Sequence, residues 1–302
     1  MRYYMTFDIG GTNIKYGVIN DNAEILEKGS IKTPQNNIEE LIDVIGDVTK
    51  DYIDKYKFEG IAISSPGAVD DLNGVVKGAS ALPYIHGPKI KELITKRTSL
   101  KVYMENDANC AALAEVWNGA AKDAKDVLFV VCGTGIGGAV IKDRKLHTGA
   151  NLHGGEFGYM LLQTDLKDAK DRNWSRIAST GAMVRKACEL KGINESSLDG
   201  KRVFELAESG DQDCIKAIDM FYQNLAVGIY NLQYIYDPEM IIIGGAISER
   251  KDIIDNINNK LKNILDTVEI AKIFPTVKSC EYFNDANLLG AVYNFKVKNE
   301  LI

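Results

Sequence analysis

The chain has 302 residues, 45% of them apolar and 26% charged, with a formal charge of −6, so it is long enough for two domains and apolar enough to bury a core. That composition excludes a disordered or fibrous chain, and the acidic balance argues against a surface that grips nucleic acid or an anionic membrane. Five cysteines (Cys110, Cys132, Cys188, Cys214 and Cys280) are scattered without a C-x-x-C pair, so reduced, buried thiols in a cytoplasmic protein are expected rather than a disulfide framework.

No stretch approaches the ~20 apolar residues of a membrane span, and residues 1–6 run into a strand with no apolar signal core. Residues 3–9, Gly10-Gly11-Thr12 and residues 14–19 read as strand, glycine turn and strand, because β-branched and aromatic runs flank residues suited to a tight turn. A helix is expected over 38–56, where Leu41, Ile42, Ile45, Val48 and Ile53 recur at helical spacing. A strand over 60–64 leads into Ser65-Pro66-Gly67, and one over 101–104 leads into Glu105-Asn106-Asp107 and an alanine-rich helix. The strand–glycine–strand unit recurs at 127–131, Gly133-Thr134-Gly135 and 136–141, which points to an internal duplication with two lobes. Helices are expected over 180–190, 202–208 and 214–236, then a buried strand over 240–243 that reaches Gly244-Gly245-Ala246. The last helix, 286–298, has the small and apolar face of a segment packed back onto the body.

Two glycines after Asp8 let backbone N–H groups approach an anion with no Cβ in the way, and Thr12 adds a hydroxyl. Asp8 at a strand end is suited to hold Mg2+ through water, although a hairpin turn with a solvated Asp uses the same residues. The run Gly133-Thr134-Gly135-Ile136-Gly137-Gly138 invites a dinucleotide-binding reading. An apolar strand follows it, not a helix, so a second phosphate loop fits better. Gly244-Gly245 after a buried strand suits the adenosine side of a nucleotide. Phosphoryl transfer to an alcohol needs a carboxylate that takes the hydroxyl proton. Asp107, just after a strand and before a helix, has that address, although Asp107 or Asn106 there also suits a helix cap.

In this order, residues 8–12, Gly133-Thr134-Gly135 and Gly244-Gly245 resemble the phosphate and adenosine motifs of the actin/hexokinase/Hsp70 ATPase superfamily. Residues 105–115 and 149–158 narrow the resemblance to the ROK family of sugar kinases and repressors, over nearly the whole chain from Met5 to about Val292. The resemblance implies an α/β chain with the two-lobed actin-like ATPase (ribonuclease H-like) fold, mixed sheets with flanking helices, and nucleotide and sugar in the cleft between the lobes. It implies a small lobe at 1–116, joined by the returning helix 286–302, and a large lobe at 117–285. Asp107 is then the catalytic base. Asn106 and Glu156 bind the sugar, Gly67 offers it a backbone contact, and His153 and Tyr159 lie beside Glu156 in the same set. Asp8, Gly10, Gly11, Thr12, Lys15, Gly133, Thr134, Gly135, Gly244 and Gly245 bind ATP, with Mg2+ on Asp8 through water. A homodimer with a small-molecule sugar as its other partner completes the expectation.

The chain departs from the family pattern in two places. Many members carry a histidine where this chain has Tyr159, then a cysteine-rich zinc loop; residues 160–178 here contain no Cys or His, and the three histidines (His86, His147 and His153) are dispersed. No zinc site is expected. The run Ser80-Ala81-Leu82-Pro83-Tyr84-Ile85-His86-Gly87 replaces the family's Asn-Leu and Trp, and resembles a zinc-less subgroup that includes β-glucoside kinases and glucokinases. A sugar kinase acting at a hexose or β-glucoside 6-OH is therefore expected, with N-acetylmannosamine kinase and fructokinase as alternatives. A sugar-sensing repressor would need a helix-turn-helix domain ahead of the first phosphate loop, where only Met1 to Phe7 precede Asp8.

Overall fold

A computed structural model describes residues 1–162 and 172–301. In chain order its first elements are β1 (Tyr3–Ile9), β2 (Asn13–Asn20), β3 (Ile25–Lys32), α1 (Ile38–Ile53), β4 (Phe58–Ser65), β5 (Ala68–Asp70), β6 (Val75–Lys77), α2 (Ile90–Thr98), β7 (Val102–Asn106) and α3 (Asp107–Asn118). Then come β8 (Val127–Cys132), β9 (Ile136–Lys142), β10 (Lys145–Leu146), α4 (Trp174–Ala178), α5 (Thr180–Lys191), α6 (Gly200–Glu208), α7 (Gln212–Tyr236), β11 (Met240–Gly244), α8 (Ile253–Val268), β12 (Val277–Ser279) and α9 (Ala286–Lys298). They form two compact units, one of Met1–Lys122, Thr148–His153 and Asn284 onward, the other of Asp123–His147 and Gly154–Phe283.

The first unit is built on a mixed sheet ordered β3-β2-β1-β4-β7. β2 runs antiparallel to both β1 and β3, while β4 lies parallel to both β1 and β7. α1 forms because Leu41, Ile42, Ile45 and Val48 repeat on one face, and all four are buried. Its start is fixed by Asn37, whose side chain accepts from the backbone of Glu40 at 2.9 Å. The expected extension to residue 56 is corrected. The helix stops at Ile53, which is 42% exposed, and the N–H groups of Asp54, Lys55 and Tyr56 all converge on the Tyr52 carbonyl. α9 buries Leu288, Leu289, Val292 and Phe295 in this unit. Gly290 lies so close to the Cys110 carbonyl of α3 that any side chain there would collide with it, and Thr6 Oγ1 donates to the Leu288 carbonyl at 3.2 Å.

In the second unit the sheet is ordered β10-β9-β8-β11-β12. Its directions repeat those of the first: β9 is antiparallel to β8 and β10, and β11 is parallel to β8 and β12. Leu128, Val130, Ile241 and Ile243 of the sheet pack with Trp174, Phe221, Leu225 and Ile229 of the helices. The Trp174 indole is fully buried and donates to the Asn224 carbonyl at 3.0 Å, so its one polar atom is paired. Among the described residues no helix is long and apolar enough to cross a membrane. All five cysteines are buried thiols outside any disulfide, as their scatter in the sequence predicts.

Candidate active site

In the first unit, Asp8 lies near the end of β1, where its Oδ1 accepts from Ser64 Oγ at 2.7 Å and from Asn287 Nδ2 at 3.0 Å. Both bonds fall on one carboxylate oxygen, which leaves Oδ2 for a cation or its water. The Gly10-Gly11-Thr12 turn is tight: the Gly10 N–H donates to the Asn13 carbonyl at 3.1 Å, and a Cβ on Gly10 would lie 2.7 Å from that same oxygen. Residues after β3 brace it from outside. Thr33 Oγ1 donates to the Gly10 carbonyl at 2.6 Å, Gln35 Nε2 to the Gly11 carbonyl at 3.0 Å, and the Thr33 N–H to the Thr12 carbonyl at 3.0 Å. Lys15 stands opposite Asp8 in the β1–β2 register, and its Nζ donates to the Asn284 carbonyl at 3.3 Å.

The end of β7 leads into the candidate base, Asp107. Asn106 is the N-cap of α3: its Oδ1 accepts from the Asn109 N–H at 3.2 Å, while its Nδ2 donates to the Gly67 carbonyl at 3.0 Å. Because Asn106 takes the cap, Asp107 is the first helical residue, and its Oδ1 accepts from the N–H of Ala108 at 2.8 Å. A helix N-terminus favours negative charge. β7 runs on to Asn106 instead of ending at Met104 as its sequence suggests, so Glu105 belongs to the strand. Burial pushes the Glu105 carboxyl up in pKa, and its Oε1 accepts from the Asn106 N–H and from Asn109 Nδ2, each at 2.9 Å. Sequence reasoning treated Glu105 only as part of the motif. Here it is the buried post on which the Asn106–Asp107 junction rests. In the same unit, the exposed His153 donates from Nδ1 to the Asn151 carbonyl at 2.7 Å.

In the second unit, Gly133-Thr134-Gly135 joins β8 to β9, and the start of α5 holds it. Thr180 Oγ1 donates to the Gly133 carbonyl at 2.5 Å and Ser179 Oγ to the Thr134 carbonyl at 2.9 Å. Around Gly133 itself no atom of the described residues lies within 4 Å of where a Cβ would sit. Gly244 ends β11 and Gly245 follows with φ +87°, packed so tightly on the Cys132 carbonyl that a side chain would collide. Next to it lies a cavity of about 680 Å3 lined by Thr180, Phe204, Ile247 and Arg250 among others. The Arg250 guanidinium stacks 3.8 Å from the Phe204 ring centroid and forks onto Asp252 at 2.9 and 2.8 Å. Ser179, Thr180, Phe204 and Arg250 were missed by sequence reasoning, because only long-range folding brings them to the glycine loops. Glu156 is exposed ahead of the short helical turn Phe157–Tyr159, whose Tyr159 is 72% exposed.

The structure therefore brings Gly67, Asn106 and Asp107 together in one unit, and Gly133, Thr134 and α5 together in the other. Among the described residues no group of three or more His, Cys, Asp or Glu is placed to hold a metal. Part of the zinc-loop stretch, residues 163–171, lies outside the described residues.

Two mixed sheets of identical strand order, with a carboxylate and glycine turns at their strand ends, define an α/β protein of the actin-like ATPase fold. The chain belongs to the ROK family, whose model matches residues 4–298. The β-glucoside kinase of Klebsiella pneumoniae is 34% identical over 292 residues, covering 96% of this chain and 94% of that protein. Among solved structures, a ROK family protein from Streptococcus pneumoniae in complex with sucrose is 38% identical with a TM-score of 0.91, covering 99% of this chain and 100% of that one. A ROK family glucokinase from Streptomyces griseus, in complex with glucose and AMPPNP, is 27% identical with a TM-score of 0.78, covering 96% and 97%.

Proposed function

We propose that this chain is an ATP-dependent sugar kinase that transfers the γ-phosphoryl group of ATP to the 6-OH of a hexose or β-glucoside. The observation that carries the reading is the placement of Asp107 on the first turn of α3, relieved of the capping duty by Asn106 and next to the Gly67 turn that Asn106 holds. Asp107 takes the proton of the sugar hydroxyl as its oxygen attacks phosphorus in line. Asn106 has one amide hydrogen left for a sugar oxygen, and the Glu156 carboxylate accepts from two neighbouring hydroxyls.

ATP is assigned to the glycine loops and to the cavity beside Arg250 and Phe204. The open space at Gly133 and the N-terminus of α5 behind it suit a phosphate, and the Phe204–Arg250 wall suits a flat base. Mg2+ fits a lone carboxylate oxygen on Asp8, since that ion keeps several waters and is completed by substrate phosphates; when bound it would neutralise charge on the transferred group. A cytoplasmic homodimer belongs to the same reading and follows from the family resemblance.

β-Glucosides are the favoured acceptors. Tyr159 stands where other members have a histidine, it is exposed, and the sequence between 160 and 178 contains no Cys or His, a difference that would leave that wall open to a glycosyl substituent at C1. The β-glucoside kinase relative supports the same class. The test is ADP release with Mg-ATP across glucose, cellobiose, gentiobiose, fructose, N-acetylglucosamine and N-acetylmannosamine. Turnover is expected with a β-linked disaccharide, giving for cellobiose its 6′-phosphate. Turnover on one monosaccharide alone would discard the open-wall argument, and silence across the panel would overturn the kinase reading.

A further inference from the structure

The Gly67 turn is gripped from two directions. Its carbonyl accepts from Asn106 Nδ2 at 3.0 Å. On the face where a side chain would project, an ideal Cβ would lie 2.8 Å from Val76 Cγ1, 3.1 Å from the Lys77 carbonyl oxygen and 3.2 Å from His86 Cε1. With φ at +94°, the residue adopts a backbone that side chains resist, and the imidazole of His86 occupies the ground beside it.

His86 is itself fixed. It forms a parallel bridge with Val76, and the next N–H, of Gly87, donates to the Val76 carbonyl at 3.3 Å. Its Nε2 lies 2.9 Å from Ser80 Oγ, which also accepts from the Leu82 N–H at 3.2 Å and reaches the Leu82 carbonyl at 3.5 Å. The hydroxyl has two lone pairs and one proton. They are all used if Nε2–H donates to Ser80, the Leu82 N–H donates to it as well, and the hydroxyl proton goes to the Leu82 carbonyl. Nδ1 is then a lone pair, buried and unpaired among the described residues. A ring kept there with an unpaired nitrogen is not the cheapest way to fill space. Its paired nitrogen does what an apolar ring cannot do, locking the Ser80–Gly87 loop in the position that supports Gly67.

We infer that His86, tied to Ser80, is a positioning residue for the Gly67 turn, setting where the turn's backbone meets the sugar. The inference rests on the kinase reading for its sugar, but the mechanical claim about the turn does not. Two measurements on the full chain separate them. In kinetics, His86→Ala should raise the KM for sugar about tenfold with the KM for ATP within about twofold. Ser80→Ala should move it in the same direction by less. His86→Gln, whose side-chain amide can still donate to Ser80, should recover most of the loss. In hydrogen–deuterium exchange, the amides of Gly67, Ala68 and Val69 should exchange faster in His86→Ala and return toward wild type in His86→Gln. Faster exchange with rescue supports the inference even if no sugar is phosphorylated, in which case only the kinase reading fails. Unchanged exchange in a folded His86→Ala overturns it, as does an equal rise in both KM values without rescue by glutamine.

Discussion

The two sheets repeat one another strand for strand, yet their matching ends are furnished differently. In each, a hairpin opens the sheet, a glycine of positive φ follows the parallel strand beside it (Gly67 after β4, Gly245 after β11), and a further parallel strand closes the edge. The first sheet carries a carboxylate at the penultimate position of β1, Asp8, and another directly after β7, Asp107. β8 of the second ends instead in Val131 and the buried thiol Cys132. The hairpin glycines differ too: Gly10 is crowded by its own turn, whereas among the described residues none fills the space at Gly133. The two sheets share a common frame, and on the proposed reading their divergence would divide the labour, with acid–base chemistry in one unit and phosphate cradling in the other.

The sharpest way to break that division is Asp107→Asn, which keeps shape and removes the proton acceptor. Turnover should fall about 10²-fold or more with sugar affinity largely kept; near-normal turnover would strip the first unit of its chemical role. A matched pair sharpens the contrast between the glycines. Gly10→Ala should cost about 1–3 kcal/mol of stability by overpacking, whereas Gly133→Ala should unfold like wild type within about 0.5 kcal/mol and lose ATP affinity instead. Equal melting losses in the two variants would erase the distinction. Removing the stacked guanidinium with Arg250→Ala should raise the KM for ATP by about three- to tenfold, in line with a partly exposed cation–π contact, and leave the KM for sugar alone. A rise in the sugar KM would show that the cavity is not a nucleotide site.

The smallest expected effect belongs to Glu105. Burial raises its pKa in the folded protein, so the folded state holds the proton more tightly than the unfolded chain. Its contribution to stability is full below the ordinary glutamate value of about 4.3 and declines as pH rises from there through the raised value. Glu105→Gln has no proton to lose and keeps an oxygen for Asn106 and Asn109. Its melting temperature relative to wild type should therefore improve from pH 4 toward neutrality. A difference that stays constant with pH would mean that burial does not govern this carboxyl.

Much of this architecture can be read from residue patterns. The hairpins, the helix after Asp107 and the bounds of α9 follow from local alternation and helical spacing, because each buries a face whose period is written in a short window. β3, β5, β6 and β12 are not legible in that way: β3 alternates half-exposed residues at a sheet edge, and the others are three residues long. α8 is rich in asparagine, a poor helix former, although Ile253, Ile257 and Leu261 bury one stripe of it. In the candidate site, the glycine turns and Asn106-Asp107 stand out because they are contiguous. The bonds from Ser179 and Thr180 to the second glycine loop cross 45 and 47 positions, and no local pattern announces them. The same holds for His86 and Ser80, whose role depends on a turn more than a dozen residues upstream.

α9 completes the first unit although the second lies between it and β1. Thr6 and its acceptor, the Leu288 carbonyl, are 282 positions apart. During synthesis at roughly 5–20 residues per second, the opening sheet must wait on the order of tens of seconds for the helix that covers it. Meanwhile the second unit, continuous in sequence but for a short excursion, has already emerged and can settle first. Completion of the amino-terminal unit therefore waits for α9, and a ribosome stalled shortly before Ala286 would leave its sheet without that helix.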